Sequence, residues 1–309
     1  MSRQGTAAHP SAPTVAKVRM RFAKRGRARF SSHRDVARAM EWALRRAGVP
    51  VSLSHGFSPH PRLSWLGAAP TGAASEAEFV EIGLTVDLDP AVVAREVDAV
   101  LPEGLSVIDV VRAGPGALAD RIDASVWRIA MPGVDPQQLA EAVAALEATE
   151  VVEVERMTKN GPRTLDVRAA LVDLTVEGVN AVTDTPGECH PNDGRAGDDA
   201  PGDGPRPAGD DTGDATGEVS DRRARAQRAG CGTLTAVVRH TTPAVRPDDV
   251  VSALRSVAGL EPPVPVTATR MEQGRLGGSG ELLDPLEADR ATTGRETVPA
   301  RHAGEDRPD

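Results

Sequence analysis

KVRMRFAKRGRARFSSHRDVARAMEWALRRAG, residues 17–48, changes its hydrophobic period part-way, and that change decides the fold class. Val18, Met20 and Phe22 alternate with Lys17, Arg19 and Arg21, the period of a strand with one apolar and one charged face. A turn at Lys24–Gly26 leads to a second alternation, Ala28 and Phe30 against Arg27 and Arg29, which predicts a further short strand. The period then becomes helical. Ser32 is suited to cap a helix with Asp35 three residues on, and Val36, Met40, Ala43, Leu44 and Ala47 form one apolar stripe, stopped by Gly48 and Pro50.

Outward from this stretch, Val51–Ser54 and Arg62–Leu66 predict strand material around a loop, and Val80, Ile82, Leu84 and Val86 alternate as a further strand. Asp89 and Pro90 open a helix carrying Val93, Val97, Val100 and Leu101, and Leu105–Val111 closes the unit. The order is βαββαβ, the ferredoxin-like arrangement. A second series begins at Trp127, Ile129 and Met131, continues through a helix opened by Asp135 and Pro136 and strand material at Val151–Met157 and Leu165–Val176, and ends with Leu234–Val238, Pro247–Val257 and Val266–Arg270. The expected fold is α+β, two tandem ferredoxin-like modules spanning 15–115 and 124–273.

The second module carries an insertion at 183–230 whose residues are largely acidic, Gly and Pro. Such a segment buries too little apolar surface to offset its ordering entropy, so it is expected to be disordered. The same composition argument predicts disorder in 1–14 and in a tail, 277–309. With 2% aromatics and no Tyr, the core must be built mainly from Val, Leu, Ile and Ala. Neither an apolar leader nor a membrane-length apolar run is present, and the two cysteines, Cys189 and Cys231, do not form a disulfide framework; the expected location is the cytoplasm, away from any membrane.

The quoted stretch, extended to RFAKRGRARFSSHRDVARAMEWALRRAGVPVSLSHGFSPHPRLSW (21–65), together with PTGAASEAEFVEI (70–82), KNGPRTLDVR (159–168) and RHTTPAVRPDDVV (239–251), resembles the radical-SAM-associated accessory proteins. That uncharacterised family is encoded beside, or fused to, radical SAM proteins. The resemblance implies an accessory role beside a separate radical SAM partner and names no reaction. The chain lacks the C-x-x-x-C-x-x-C spacing of the radical enzyme itself, and it has no phosphate loop and no G-x-G-x-x-G after a strand, so no cofactor is expected.

Net charge is −9, yet residues 17–46 hold eleven Lys and Arg against Asp35 and Glu41. Arg19, Arg21, Arg27 and Arg29 are expected to project from one sheet face beside Phe79, the electrostatic half of an RNA-binding surface, joined by Lys159 and Arg163 in the second module. A candidate loop pocket is expected where His33 and Asp35 meet His55, Phe57, His60, Arg62 and Glu76. There a helix N-terminus and imidazoles would serve anion binding or proton transfer. Three functions fit: an accessory protein holding an RNA or ribonucleoprotein substrate for the radical SAM enzyme, an RNA-acting enzyme with a loop histidine as general acid or base, and a protein-only adaptor.

Overall fold

The structure, a computed structural model, describes residues 12–55, 58–158, 161–178 and 230–293. Chain order is β1 (Ala16–Lys24), a 3-10 turn (Gly26–Phe30), α1 (His33–Arg46), β2 (Leu63–Leu66), β3 (Ala74–Leu84), α2 (Pro90–Asp98) and β4 (Leu105–Arg112). A second 3-10 turn (Leu118–Arg121) leads to β5 (Ala124–Pro132), α3 (Pro136–Glu147), β6 (Glu153–Thr158), β7 (Gly161–Asp166), β8 (Leu171–Glu177), β9 (Cys231–Arg239), α4 (Pro247–Ala258), β10 (Thr267–Leu276), β11 (Leu282–Leu283) and α5 (Glu287–Thr293). The fold is mixed α and β with a mostly antiparallel sheet.

The main sheet runs β4-β1-β3-β10-β5-β9-β8, with β2 on β3 and β11 on β10, and β6 and β7 form a separate hairpin. β3 serves two partners along one edge. Its later residues pair with β2, Leu63 opposite Ile82 through Leu66 opposite Phe79, while its first two, Ala74 and Ser75, pair in parallel with Thr269 and Arg270 of β10. The sheet is therefore continuous across the two halves of the chain. At the junction Arg270 ion-pairs with Glu78 at 2.5 Å and donates to the Gly67 carbonyl at 2.6 Å, and the Ala69 amide donates to the Glu78 carboxylate. Burial pushes the pKa of Lys24, beside this pair, below its ordinary value, with Glu78 opposing the shift.

The alternation in β1 sorts its side chains as the sequence predicts: Val18, Met20 and Phe22 join Val36, Met40, Ala43 and Leu44 of α1 in one core cluster. Ser32 and Asp35 close a reciprocal capping box, and their hydrogen bonds hold the Asp35 carboxyl below its ordinary pKa. The second cluster packs Trp127, Ile129 and Met131 of β5 against Leu139, Val143 and Leu146 of α3 and Val250 and Leu254 of α4.

Several expected boundaries change. Residues 27–29 lie in the 3-10 turn rather than a strand, because Gly26, at φ +52°, turns the chain and packs it under Gly104, where an added Cβ would lie 2.7 Å from the Arg25 carbonyl. Val51 and Leu53 make only isolated bridges, to Leu84 and Pro61; Pro50, Pro59 and Pro61 lack the N–H groups a ladder needs. The tail expectation is also corrected. Leu286 and Asp289 are fully buried, and residues 277–293 dock through β11 and α5, because one apolar and one acidic side chain find complementary sites on the first half of the chain. Cys231 is disulfide-bonded, so the expectation drawn from the two cysteines, which argued against a disulfide framework, does not extend to a single bridge. The insertion expected at 183–230 lies, save for Gly230, outside the described residues, as do 1–11 and 294–309. No helix among the described residues is long and apolar enough to cross a membrane.

Candidate nucleic-acid interface

The expected loop pocket does not assemble. β1 ends at Lys24 and α1 starts just beyond it, so His33 and Asp35 sit at that end of the sheet, where the His33 ring packs edge-on against Trp65 at 5.3 Å. His55, His60 and Arg62 belong to the connection between α1 and β2. Arg62 and Ser52 bond to Gly83 near the end of β3, and Thr14, just before β1, bonds to Ser52. α1, 14 residues and about 21 Å long at 1.5 Å per residue, runs from the first group to the chain that leads into the second. The error lies in the strand assignment: the connection between β2 and β3 is residues 67–73, not 55–61.

Within that loop the Arg62 guanidinium lies 3.5 Å from His55 Nδ1, and the side chains of His55, His60 and Arg62 are exposed. Arg62, without the two histidines, lines a groove of about 350 Å³ together with Thr14, Lys17, Ser54 and Glu81. Phe57 lies outside the described residues. Glu76 is far from these histidines, ion-paired with Arg25, while its carbonyl accepts from Arg21 at 2.7 Å. No cluster of His, Cys, Asp and Glu suited to a metal ion is present among the described residues.

The strand arginines do not project into solvent either. Arg19 is 1% exposed, bonded to Glu81, Asp289 and the Gly116 carbonyl, and Arg21 donates to the carbonyls of Glu76 and Met271. Burial alone would raise the Glu81 carboxyl, but hydrogen bonds from Lys17 and Arg19 outweigh it and hold the pKa low. Phe79 shares their sheet face as expected, yet is 1% exposed because Leu118 and Leu286 cover it. Arg163 is exposed on β7, in the separate hairpin, and Lys159 lies outside the described residues. Asp166 accepts from the amides of Val152 and Ala169.

A different surface carries open charge. At about 100° per residue, Arg34, Arg38, Trp42 and Arg45 fall within an arc of about 80° on the solvent side of α1. Arg46 flanks them, and Arg27 and Arg29 precede them on the 3-10 turn. None of these six arginines makes an ion pair among the described residues. Two large aromatic rings stand among them, Phe30 at 60% exposure and Trp42 at 49%, and each is covered by a guanidinium: Arg29 lies 4.6 Å from the Phe30 centroid and Arg46 5.4 Å from that of Trp42. Cations that reach phosphate beside aromatic faces that stack on bases are the two components of a single-strand binding surface. The sequence signal for it was present: Trp42 lies opposite the stripe Val36, Met40 and Ala43.

Residues 17–191 match a family described as an uncharacterised protein conserved in bacteria, DUF2344. The chain belongs to this family. No curated protein matches it. The DUF2344 match covers β1 from Lys17 on and every element through β8, and thus the whole arginine and aromatic surface of α1.

Proposed function

We propose that this protein is a non-catalytic accessory module that binds single-stranded RNA, free or within a ribonucleoprotein, and holds it for a separate radical SAM enzyme. The observation that carries the binding half is the open face of α1 and its preceding turn, with six arginines free of ion pairs among the described residues around Phe30 and Trp42. Phosphate contacts there supply affinity without sequence preference, and the two rings accept bases by stacking. The radical SAM partner rests on the resemblance carried by residues 21–65, 70–82, 159–168 and 239–251. The local strand orders β4-β1-β3-β2 and β10-β5-β9-β8 support reading each half as a ferredoxin-like module, the second with β6 and β7 added.

The test is titration of a fluorescent single-stranded RNA oligonucleotide with wild type and an Arg34→Glu, Arg38→Glu, Arg45→Glu triple variant. Wild-type affinity is expected to fall steeply with salt, and the folded variant to lose binding. Salt-independent binding, or full binding by the triple variant, overturns the assignment.

A further inference from the structure

The sheet face opposite α1 and α2 holds a second cationic site, filled by the chain itself. Arg19 Nη1 donates to both oxygens of Asp289, at 3.0 and 2.8 Å. Arg121 approaches the same carboxylate at 2.9 Å, and the Gly114 amide donates to it at 3.0 Å. Two guanidiniums and a backbone N–H thus converge on one oxyanion, a donor set equally complementary to the oxygens of phosphate. The cradle does not depend on Asp289 alone for its aim. Arg19 is also held by Glu81 at 3.0 Å and by the Gly116 carbonyl at 2.5 Å, and Arg121 by the Pro115 carbonyl at 2.8 Å.

A groove of about 770 Å³ opens onto the cradle, lined by Lys17, Arg19, Arg112, Gly114 and Gly116 together with Glu81 and Asp87. Within it the Nε of Arg112 is buried and has no hydrogen-bond partner among the described residues. In the groove Lys17 is paired with Glu81 and Arg112 with Asp87, each at 2.8 Å; with Arg19, and with Arg121 and Asp289 at the cradle, these make four cations to three carboxylates, and withdrawing Asp289 leaves four to two. The segment bringing Asp289 is short: two residue pairs join β10 and β11, a seven-residue helix follows, Leu286 sits on Phe79, Val111 and Leu118, and polar anchors hold it at Arg290, ion-paired with Asp109 of β4 at 2.6 Å, and at the Pro285 carbonyl, which accepts from Arg121 at 2.9 Å.

We propose that Arg19, Arg121 and the Gly114 amide form a binding site for a phosphate group, and that Asp289 is an internal competitor displaced when that group enters from the groove. A ligand opens such a segment only to the extent that it prefers the open state, and the two additional cations, Lys17 and Arg112, provide that preference. The phosphate is either free or part of a nucleic-acid strand. The site is separate from the α1 face and does not rest on it.

The experiment is amide hydrogen exchange of the full chain, read over residues 282–293, with inorganic phosphate or a single-stranded oligonucleotide added. Exchange is expected to rise several-fold with one or both. A response to inorganic phosphate indicates a small phosphorylated ligand, and a response confined to the oligonucleotide indicates a strand. Asp289→Asn is expected to bind the responding probe about tenfold more tightly, and Arg19→Gln in the same background to abolish that gain. Unchanged exchange with both probes overturns the proposal, as does a folded Asp289→Asn that binds no better; if that variant does not fold, the wild-type exchange decides. Repeating the exchange on the triple α1 variant separates the two sites, because the strap response should survive there with inorganic phosphate even if RNA binding at α1 is lost.

Discussion

Arg19 on β1 and Arg45 on α1 come from the same basic run and meet opposite fates. Arg19 is buried among a carboxylate on β3, another on α5 and a loop carbonyl, whereas Arg45 is exposed and unpaired among the described residues. A run of positive charge marks where cations lie, not which of them are free. Partners distant in sequence settle that: Asp289 is 270 positions from Arg19. What remains open is the charge on the solvent side of a helix whose other side is fully used by the core.

The largest expected effect breaks the buried half of this contrast. Arg19→Ala leaves the Asp289 carboxylate underpaired in a buried site and should lower unfolding free energy by about 3 to 5 kcal/mol in denaturant titration. Arg45→Ala should stay within about 0.5 kcal/mol. Similar losses from the two would erase the distinction. On the buried side of α1, Leu44→Ala should cost about 2 to 5 kcal/mol through a core cavity while leaving RNA affinity of the folded fraction unchanged, as judged by calorimetry and anisotropy together.

Sharpening the open half requires removing the rings. Phe30→Ala with Trp42→Ala should weaken RNA binding by about 1 to 3 kcal/mol per stacked base while changing stability little. Unaltered affinity would reduce α1 to a purely electrostatic face.

The smallest effect concerns the junction near β10. His240 has an exposed residue surface, but its Nε2 lies 2.7 Å from Ser125 Oγ, and burial of the ring, then the Arg270 charge, lower its pKa below the ordinary 6.5, with Asp123 opposing. A depressed histidine binds fewer protons folded than unfolded, so its contribution is fully present above the unfolded value near 6.5 and is lost as pH falls through that value toward the lower folded one. Tm should therefore decline slightly between pH 7 and pH 5, and His240→Gln should flatten that decline. An identical slope in the variant assigns it to other groups.

The fold was legible where one face of an element is buried by its immediate neighbours in sequence. Val18, Met20 and Phe22 alternate because α1, only a few residues later, covers that side, and Ser32 and Asp35 mark the start of the helix by purely local bonds. The start of β3 was not legible, because Glu78 there is buried only by grace of Arg270. The arginine run in residues 17–46 was visible, but the sequence reading placed its open portion on the strands. The alternation in β1 does identify two faces; it carries no record of the cover that Leu286 and Asp289 place over the charged one. His33 and His55 were brought together by a strand assignment that Pro50, Pro59 and Pro61 undo, since their missing N–H groups shift the paired strand to Leu63–Leu66.

The double pairing of β3 also sets a schedule for synthesis. Ser75 and Arg270 are 195 positions apart, and at about 5 to 20 residues per second the ribosome needs roughly 10 to 40 s to make the strand that completes this edge. Throughout that interval the nascent first half carries an uncovered strand start and an unpaired Glu78. Chaperone engagement should therefore concentrate on chains stalled between β4 and β10, and a slow codon cluster placed there should lower soluble yield more than one placed after β11.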